Sequence, residues 1–207
     1  MKIKDKLAII GAGGFGREIF HLFNNVQFNC IGFLDIKKKG KLPAPILGHE
    51  DDMSSLIIEH DFLNCVIAIG DIAKREKTYK KIANSQVVFP KMIDSSINYH
   101  SVFLGEGVMI YPGVVLMNDC KIGRFTLINS GVTLGHDVII GNFCNINPGV
   151  HLAGRITIGD CVLIGIGASI KENITIGNNA IIGAGSVVIK DVPDNSTVYG
   201  VPAKIAY

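Results

Sequence analysis

Residues 102–191 read VFLGEG, VMIYPG, VVLMND, CKIGRF, TLINSG, VTLGHD, VIIGNF, CNINPG, VHLAGR, ITIGDC, VLIGIG, ASIKEN, ITIGNN, AIIGAG and SVVIKD, which are fifteen hexads with no insertion. The third position of every hexad is Leu, Ile or Val, from Leu104 to Val188. The first position is small or β-branched, and the fourth is often Gly. Agreement over fifteen positions indicates a true repeat, and such a repeat decides the architecture.

Simple geometry explains this pattern. Short strands joined by a turn every six residues form a triangular prism, with three hexads to a coil and the aliphatic third position stacked inside. Fifteen hexads then make five coils, so residues eighteen apart lie above one another. The corners need positive φ, which Gly and Asn adopt most readily. The second half of the chain is therefore predicted to be an all-β parallel helix.

The first ninety residues have a different pattern, in which apolar strands alternate with amphipathic helices. Strands are predicted at 6–10, 30–34 and 65–69, and helices at 17–24, 53–60 and 73–84. This alternation predicts a small α/β domain of Rossmann-like type. We therefore expect two domains, 1–90 and 91–207, with 89–101 leading into the prism.

The composition argues against several classes of protein. The net charge of +2 is too small to predict binding to nucleic acid or to an anionic membrane. The N-terminus does not read as a signal peptide, and no apolar run is long enough to span a bilayer. Five cysteines without CxxC spacing indicate reduced thiols in a cytoplasmic protein, with neither a disulfide framework nor a metal site.

A glycine-rich turn, GAGGFG at residues 11–16, lies between the first predicted strand and the first predicted helix. The spacing of Gly11, Gly13 and Gly16 matches the dinucleotide fingerprint, in which glycine lets the backbone approach a phosphate at a helix N-terminus. Asp35 ends the second strand, where a ribose hydroxyl would be bound. The alternative is a tight turn followed by a surface carboxylate. A domain of about ninety residues has no room for the second half of a full NAD site.

A histidine at a corner of the prism is the second candidate for chemistry. His136 occupies the fifth position of its hexad, next to Asp137. Asn118 lies one coil before it and Gly154 one coil after it. The alternative is an ordinary surface residue, which is also the interpretation of His151 at an outward second position.

Three segments carry a resemblance to a known family. They are GAGGFG at 11–16, INSGVTLGHDVIIG at 128–141 and GVPAK at 200–204. Together they resemble the NeuD/PglD-type family of bacterial nucleotide-aminosugar N-acetyltransferases and sialic acid O-acetyltransferases. The resemblance spans almost the whole chain and implies that the β-helix is left-handed, an exception to the usual right-handed crossover.

The resemblance also implies roles for residues. His136 would be the general base that takes a proton from the sugar amine as its nitrogen attacks the acetyl thioester, and Asp137 would orient the ring. Imidazole suits this role because it exchanges a proton near neutral pH. The nucleotide-linked sugar would be held by Gly11, Gly13, Gly14, Phe15, Gly16, Asp35, Gly70, Asp71, Asn118, Asn129 and Asn145.

Acetyl-CoA is the implied co-substrate. The backbone N–H of Gly154 would stabilise the thioester oxyanion, and the pantetheine arm would lie along the upper coils between two subunits. The acetyl-CoA-binding residues implied are Gly154, Ile166, Ala184 and Lys204.

The chain departs from the family pattern at three places. Gly135 stands where members often carry an acidic residue, which leaves only Asp137 to orient the imidazole. Asn145 stands where many members carry a second histidine that touches the acceptor. Asp35 is followed by Ile36, where an acidic pair is often seen, so the identity of the nucleobase of the substrate stays open.

The resemblance predicts N-acetylation of a nucleotide-linked 4-amino-4,6-dideoxy sugar, with UDP as the expected nucleotide, in bacterial surface glycan biosynthesis. One alternative is O-acetylation of a sialic-acid-type sugar. Another is a non-catalytic hexapeptide protein that binds a nucleotide sugar. A homotrimer is also predicted, because outward second positions carry apolar side chains that a monomer would leave in water. These are Val115, Leu127, Ile139, Ile181 and Val187.

Overall fold

The computed structural model describes residues 4–36 and 40–206. The chain divides into two compact units, Met1–Pro90 and Lys91–Tyr207. No helix in the described ranges is long and apolar enough to cross a membrane.

The first unit is a four-stranded parallel sheet with three helices. In chain order its elements are β1 (Lys6–Ile10), α1 (Gly14–Phe23), β2 (Asn29–Leu34), β3 (Ile46–Gly48), a 3-10 turn (Glu50–Asp52), α2 (Met53–His60), β4 (Asn64–Ile67) and α3 (Ile72–Ile82). The strand order is β3-β2-β1-β4, and every pairing is parallel. Four successive residues of the central strand β1 are buried, as a strand covered on both faces requires.

Two local features differ from the sequence-based prediction. Helix α1 begins at Gly14, three residues earlier than predicted, because the last two glycines of the turn take part in the helix and Gly13 is its N-cap. Strand β3 was not predicted at all. It is only three residues long, which is too short for an alternating pattern to be visible.

The second unit is a left-handed parallel β-helix, so the predicted fold class is confirmed. It is built of two-residue strands, one in each hexad, with β5 before them and the hairpin β21–β22 after them. The strands are β5 (Met92–Ile93), β6 (Phe103–Leu104), β7 (Met109–Ile110), β8 (Val115–Leu116), β9 (Lys121–Ile122), β10 (Leu127–Ile128), β11 (Thr133–Leu134), β12 (Ile139–Ile140), β13 (Asn145–Ile146), β14 (His151–Leu152), β15 (Thr157–Ile158), β16 (Leu163–Ile164), β17 (Ser169–Ile170), β18 (Thr175–Ile176), β19 (Ile181–Ile182), β20 (Val187–Val188), β21 (Thr197–Gly200) and β22 (Ala203–Ile205).

Three sheets form the faces of the prism. Their orders are β22-β21-β19-β16-β13-β10-β7-β5, β20-β17-β14-β11-β8 and β18-β15-β12-β9-β6. Paired residues within the hexads are eighteen apart, as in Leu134 with Leu152. The third-position side chains form the core together with the first-position ones; among the third positions only Leu116 is partly buried rather than buried.

Two hexad positions use glycine for different reasons. The sixth position has positive φ in the first fourteen hexads, and there Phe125 and Arg155 adopt it as well as Gly, Asp, Asn and Cys. Positive φ at the corners is therefore not restricted to Gly and Asn. The fourth-position glycines are needed for close approach of successive coils: a β-carbon at Gly135 would lie 2.7 Å from the carbonyl carbon of Ala153.

The outward apolar residues are distributed differently from the prediction. Val115, Ile139 and Ile181 are exposed and belong to three different sheets. Val187 is only partly exposed. Leu127 is buried, as are the residues paired with it on either side in the eight-stranded sheet, Met109 and Asn145. The prediction that Leu127 is exposed to solvent in a single chain is wrong.

Candidate active site

The corner between β11 and β12 carries a histidine–carboxylate pair. His136 Nδ1 lies 2.7 Å from Asp137 Oδ2, and both side chains are 54% exposed. An ionised carboxylate only accepts hydrogen bonds, so in the neutral form of the ring this contact places the hydrogen on Nδ1 and the lone pair on Nε2. Asp137 is held by its backbone, whose N–H donates to Asn118 O over 3.0 Å. The pair therefore presents a basic nitrogen to solvent from a fixed corner.

Gly154 leaves the space that the imidazole occupies. A β-carbon at Gly154 would lie 2.7 Å from Nε2 of His136 and 2.9 Å from Cε1. The next residue fixes the spacing of the two coils, because Arg155 N donates to His136 O over 2.9 Å. Nε2 of His136 thus lies directly over the Gly154 backbone.

The backbone N–H of Gly154 makes no hydrogen bond to any residue in the described ranges. The neighbouring corner, between β12 and β13, shows the contrast. There each fifth-position N–H donates over 2.7–3.0 Å to a side-chain Oδ1 of the following coil, through Arg124, Asn142, Asp160, Asn178 and Asp194. At the His136 corner, Gly154 cannot supply this acceptor to the N–H of His136, and the N–H of Gly154 makes no such bond to Glu172 in the coil after it. A backbone donor is therefore left free beside Nε2.

The predicted acceptor residues divide between two places. Asn118 lies at the His136 corner, where its Oδ1 accepts from Ser101 Oγ over 3.4 Å. Asn145 belongs to the eight-stranded sheet instead, and Asn129 directly follows β10 of that sheet. Asn129 is partly exposed, and its Oδ1 accepts from Ser130 N. Asn145 is buried. One chain therefore does not bring Asn129 and Asn145 to His136.

The predicted acetyl-CoA residues follow the upper coils. Ile166 and Ala184 occupy fifth positions one coil apart and are exposed, and their N–H groups donate to no residue within 4–36 or 40–206. Lys204 is exposed in β22, opposite Tyr199. It lines a cavity of about 500 Å³ between the last coil and the C-terminal hairpin, together with Lys190.

The glycine turn of the first unit is built as a cradle. Gly11 has φ of +101°, and a β-carbon there would lie 2.8 Å from Ala68 O. A β-carbon at Gly16 would lie 1.9 Å from Gly11 O, so only glycine lets α1 pack against the turn. Gly13 and Gly14, in contrast, have open space where a β-carbon would be. The middle of the turn is thus free for a ligand.

Asp35 has a structural task in addition to the predicted one. Its Oδ2 accepts from Ala12 N over 2.8 Å, which ties the end of β2 to the glycine turn. At the end of β4, Asp71 caps α3 by accepting from Lys74 N over 2.8 Å. The fully buried Arg75 donates to Ile69 O over 2.8 Å and to Gly70 O over 3.3 Å.

These strand ends surround a cavity of about 610 Å³. The residues that line it are Ile10, Gly11, Gly13, Leu34, Asp35, Ile36, His49, Glu50, Ala68, Ile69, Asp71, Lys74, Lys77, Thr78 and Lys81. Of the predicted residues, Gly14, Phe15, Gly16 and Gly70 do not line it. This position, at the carboxyl ends of parallel strands, is where open α/β sheets bind ligands.

The sequence analysis missed the lysines of this cavity. Lys74, Lys77 and Lys81 lie on one face of α3, at a spacing of three and four residues. Lys81 is paired with Asp51, which raises the pKa of the lysine and lowers that of the carboxyl group. The ammonium groups of Lys74 and Lys77 form no ion pair with any described residue. The helical spacing of these lysines was the available signal.

Among residues 4–36 and 40–206, no group of three His, Cys, Asp or Glu side chains could hold a metal ion.

Comparisons with known proteins cover both units. The family model of the PglD N-terminal domain matches residues 6–82, and that of the bacterial transferase hexapeptide (six repeats) matches 101–136, 119–154 and 155–190. No curated protein matches the sequence.

Several solved structures are similar over nearly the whole chain. A mutant of perosamine N-acetyltransferase from Caulobacter crescentus, in complex with CoA and GDP-perosamine, is 30% identical, with a TM-score of 0.92 over 98% of this chain and 97% of that one. The acetyltransferase domain of PglB from Neisseria gonorrhoeae is 30% identical, with a TM-score of 0.87 over 97% and 99%. WeeI from Acinetobacter baumannii is 29% identical, with a TM-score of 0.76 over 97% and 99%. The resemblance read from the three sequence segments is confirmed, and the chain belongs to the PglD/NeuD-type family of hexapeptide-repeat sugar acetyltransferases.

Proposed function

We propose that this protein transfers the acetyl group of acetyl-CoA to the amine of a nucleotide-linked 4-amino-4,6-dideoxy sugar, with His136 as general base. One observation carries the proposal: Nε2 of His136, with its lone pair fixed by the Nδ1–Asp137 bond of 2.7 Å, lies over a glycine whose backbone N–H is free among the described residues. A base and an oxyanion donor at one point are what acyl transfer to an amine needs.

The proposed reaction proceeds through a tetrahedral intermediate. The sugar nitrogen attacks the thioester carbonyl carbon while Nε2 of His136 takes one of its protons. The carbonyl oxygen becomes an oxyanion, which accepts from Gly154 N–H. Collapse re-forms the carbonyl and breaks the C–S bond, and the departing CoA sulfur receives the proton from His136. Asp137 holds the ring in the correct tautomer throughout.

The cavity of the first unit is evidence that the substrate is a sugar linked to a nucleotide, with the nucleotide bound in that cavity. Gly13 leaves the backbone open, and Lys74 and Lys77 supply positive charge without ion-pair partners in the described part of the chain. Both features suit a diphosphate. The expected nucleotide is UDP. The alternative is GDP, the nucleotide bound in the similar structure from C. crescentus.

The acetyl-CoA site is proposed along Ile166 and Ala184 towards Lys204. The free N–H groups of the first two residues could donate hydrogen bonds to the amide oxygens of pantetheine, and an ammonium group suits a phosphate. The C. crescentus structure contains CoA, and a similar PglB domain was solved with acetyl coenzyme A. We further propose a homotrimer with active sites between subunits, acting in the cytoplasm on precursors of a surface glycan.

The test is a thiol-release assay with acetyl-CoA and a panel of UDP-, GDP- and dTDP-linked 4-amino sugars. Each amino sugar is paired with the same nucleotide sugar carrying a hydroxyl group at that carbon. We expect CoA release only with an amino sugar, and a product heavier by one acetyl group. Release with the hydroxyl compounds or with sialic acid would indicate an O-acetyltransferase. Nucleotide-sugar binding without release from any compound would indicate a non-catalytic protein.

A further inference from the structure

Three buried side chains inside the β-helix make the same hydrogen bond to a fourth-position glycine fifteen residues ahead. Cys120 Sγ donates to Gly135 O over 3.1 Å, and Cys144 Sγ donates to Gly159 O over 3.1 Å. Thr126 Oγ1 donates to Gly141 O over 2.8 Å. All three donors occupy the first position of a hexad and are at most 1% exposed.

The fold does not require a donor at this position. Val108, Val150 and Val162 occupy the same place under Gly123, Gly165 and Gly177, and they are equally buried. Valine therefore fits the first position without any bond to the glycine carbonyl. A thiol or hydroxyl group there has an effect other than filling the core.

The three bonded glycines precede different residues. Gly141 precedes Asn142 and Gly159 precedes Asp160, whose backbone N–H groups are already bonded to the next coil. Gly135 precedes His136, whose N–H donates to no residue of the described ranges. Of the three bonds, the one from Cys120 therefore lies at the corner where the backbone N–H after the glycine is not held by the next coil.

We infer that Cys120 is a positioning residue for His136, acting through the Gly135–His136 peptide. That peptide is planar, so a bond to its oxygen also fixes the direction of the His136 backbone nitrogen and, through it, the start of the side chain. Glycine at 135 is required by the approach of Ala153, and it permits a peptide rotation that a larger residue would resist. The thiol restrains that rotation.

The thiol is a suitable permanent donor. Burial raises the pKa of Cys120, which favours the protonated thiol, the form that donates a hydrogen bond. Its second contact, to Asn118 O, is long at 3.8 Å. The bond to Gly135 is therefore the main polar contact of the thiol.

This inference rests on the proposed function of His136, and a pair of variants tests it. Cys120→Thr keeps a hydrogen-bond donor, in the form that Thr126 already has at the same hexad position. Cys120→Val has the shape of threonine with a methyl group in place of the hydroxyl, so the donor is lost. We expect kcat to fall about threefold to tenfold in Cys120→Val, the factor for one weak hydrogen bond, with both KM values unchanged. Cys120→Thr should retain most of the parental kcat.

Cys144→Val is the matched control, since it loses the same bond under Gly159 and should keep parental kcat. An equal fall in Cys144→Val, no fall in Cys120→Val, or no recovery in Cys120→Thr would overturn the inference. The ring ¹⁵N chemical shifts of His136 give a readout that does not depend on turnover. Cys120→Val should change them and Cys144→Val should not; unchanged shifts in both would also overturn it. If the parent protein shows no acetyl transfer, the proposed function fails, while these shifts still decide whether Cys120 positions the ring.

Discussion

At the scale of single residues, the candidate site depends on what glycine leaves open. Gly154 gives the imidazole of His136 its place, and its missing side chain leaves the N–H of His136 without the acceptor found at the neighbouring corner. Gly13 leaves the middle of the glycine turn at 11–16 accessible. At Gly154 the absence of a β-carbon makes room for the ring of His136, and at Gly13 it leaves room for a ligand, so a substitution at Gly13 tests function rather than folding.

We predict that His136→Ala lowers turnover by about 10²–10⁴ while both substrates still bind. The ring is half exposed at a corner, so its loss creates no core cavity. Steady-state kinetics and calorimetric binding of each substrate measure the effect. His151→Ala is the control, because His151 is an exposed histidine bonded to Thr133. Activity of His136→Ala within a few-fold of the parent would show that another group accepts the proton. Asp137→Ala should cause a smaller loss if Asp137 only orients the ring.

For the nucleotide turn, we predict that Gly13→Val weakens nucleotide-sugar binding and leaves melting temperature and acetyl-CoA binding nearly unchanged. The added side chain meets no protein atom within 4 Å of its β-carbon, so it obstructs only a ligand. Gly16→Val is the contrasting variant, since its β-carbon would lie 1.9 Å from Gly11 O and should destabilise the unit itself. Unaltered nucleotide-sugar affinity in Gly13→Val would mean that the turn has only a structural role.

At the scale of elements, helix α3 connects sequence spacing with the chemistry of the cavity. Its residues at 74, 77, 78 and 81 face the cavity, because positions three and four apart share one side of a helix. Asp71 caps the helix, and Arg75 holds the preceding turn from inside. The element therefore presents two lysines without ion-pair partners in the described ranges from a rigid support.

We predict that the double variant Lys74→Ala, Lys77→Ala raises the KM for the nucleotide sugar about tenfold and leaves that for acetyl-CoA unchanged. Two charge-assisted contacts to phosphate would be lost. The effect should shrink at high salt, since exposed charges are screened. Lys80→Ala is the control, because Lys80 does not line the cavity and pairs with Glu76. An equal rise in Lys80→Ala would point to the general charge of the helix instead.

At the scale of the whole molecule, one chain does not bring all the predicted acceptor residues together in one place. His136 and Asn118 share a corner, whereas Asn145 lies in β13 and Asn129 directly follows β10, both of the eight-stranded sheet. Exposed apolar side chains occur on all three faces, among them Val115 and Ile139. A second and third copy would cover part of this surface and could bring residues of two chains together.

We predict a homotrimer, with a mass in solution three times the 22.3 kDa of the chain. Light scattering measures this directly, and a monomer mass at micromolar concentration would refute it. Sites between subunits lead to a sharper test. His136→Ala and Ala184→Glu, each inactive alone, should regain activity when mixed and refolded together. No recovery in mixed trimers would place each site within a single chain.

The sequence by itself determined the architecture of this protein. A side-chain pattern that recurs every six residues has one regular solution, so the prism, its five coils and the stacking of residues eighteen apart follow from Leu104 to Val188 alone. The same periodicity predicted that His136 lies next to Gly154, because residues eighteen apart stack in successive coils, and Asp137 is its neighbour in the chain. The glycine turn at 11–16 was also predictable from the sequence, since the glycine at 16 is required by a contact with Gly11 only five residues away.

Only the tertiary structure decided which groups are free and which are covered. The burial of Leu127, the free N–H of Gly154 and the bond from Cys120 to Gly135 each depend on a neighbour fifteen or more residues away in the chain. Only the structure shows that the lysines of α3 line a cavity, because this cavity is formed where the ends of β1, β2 and β4 come together. Periodicity fixes where a side chain points, but hydrogen bonding and exposure depend on what stands opposite, and that is set by the packing of distant segments.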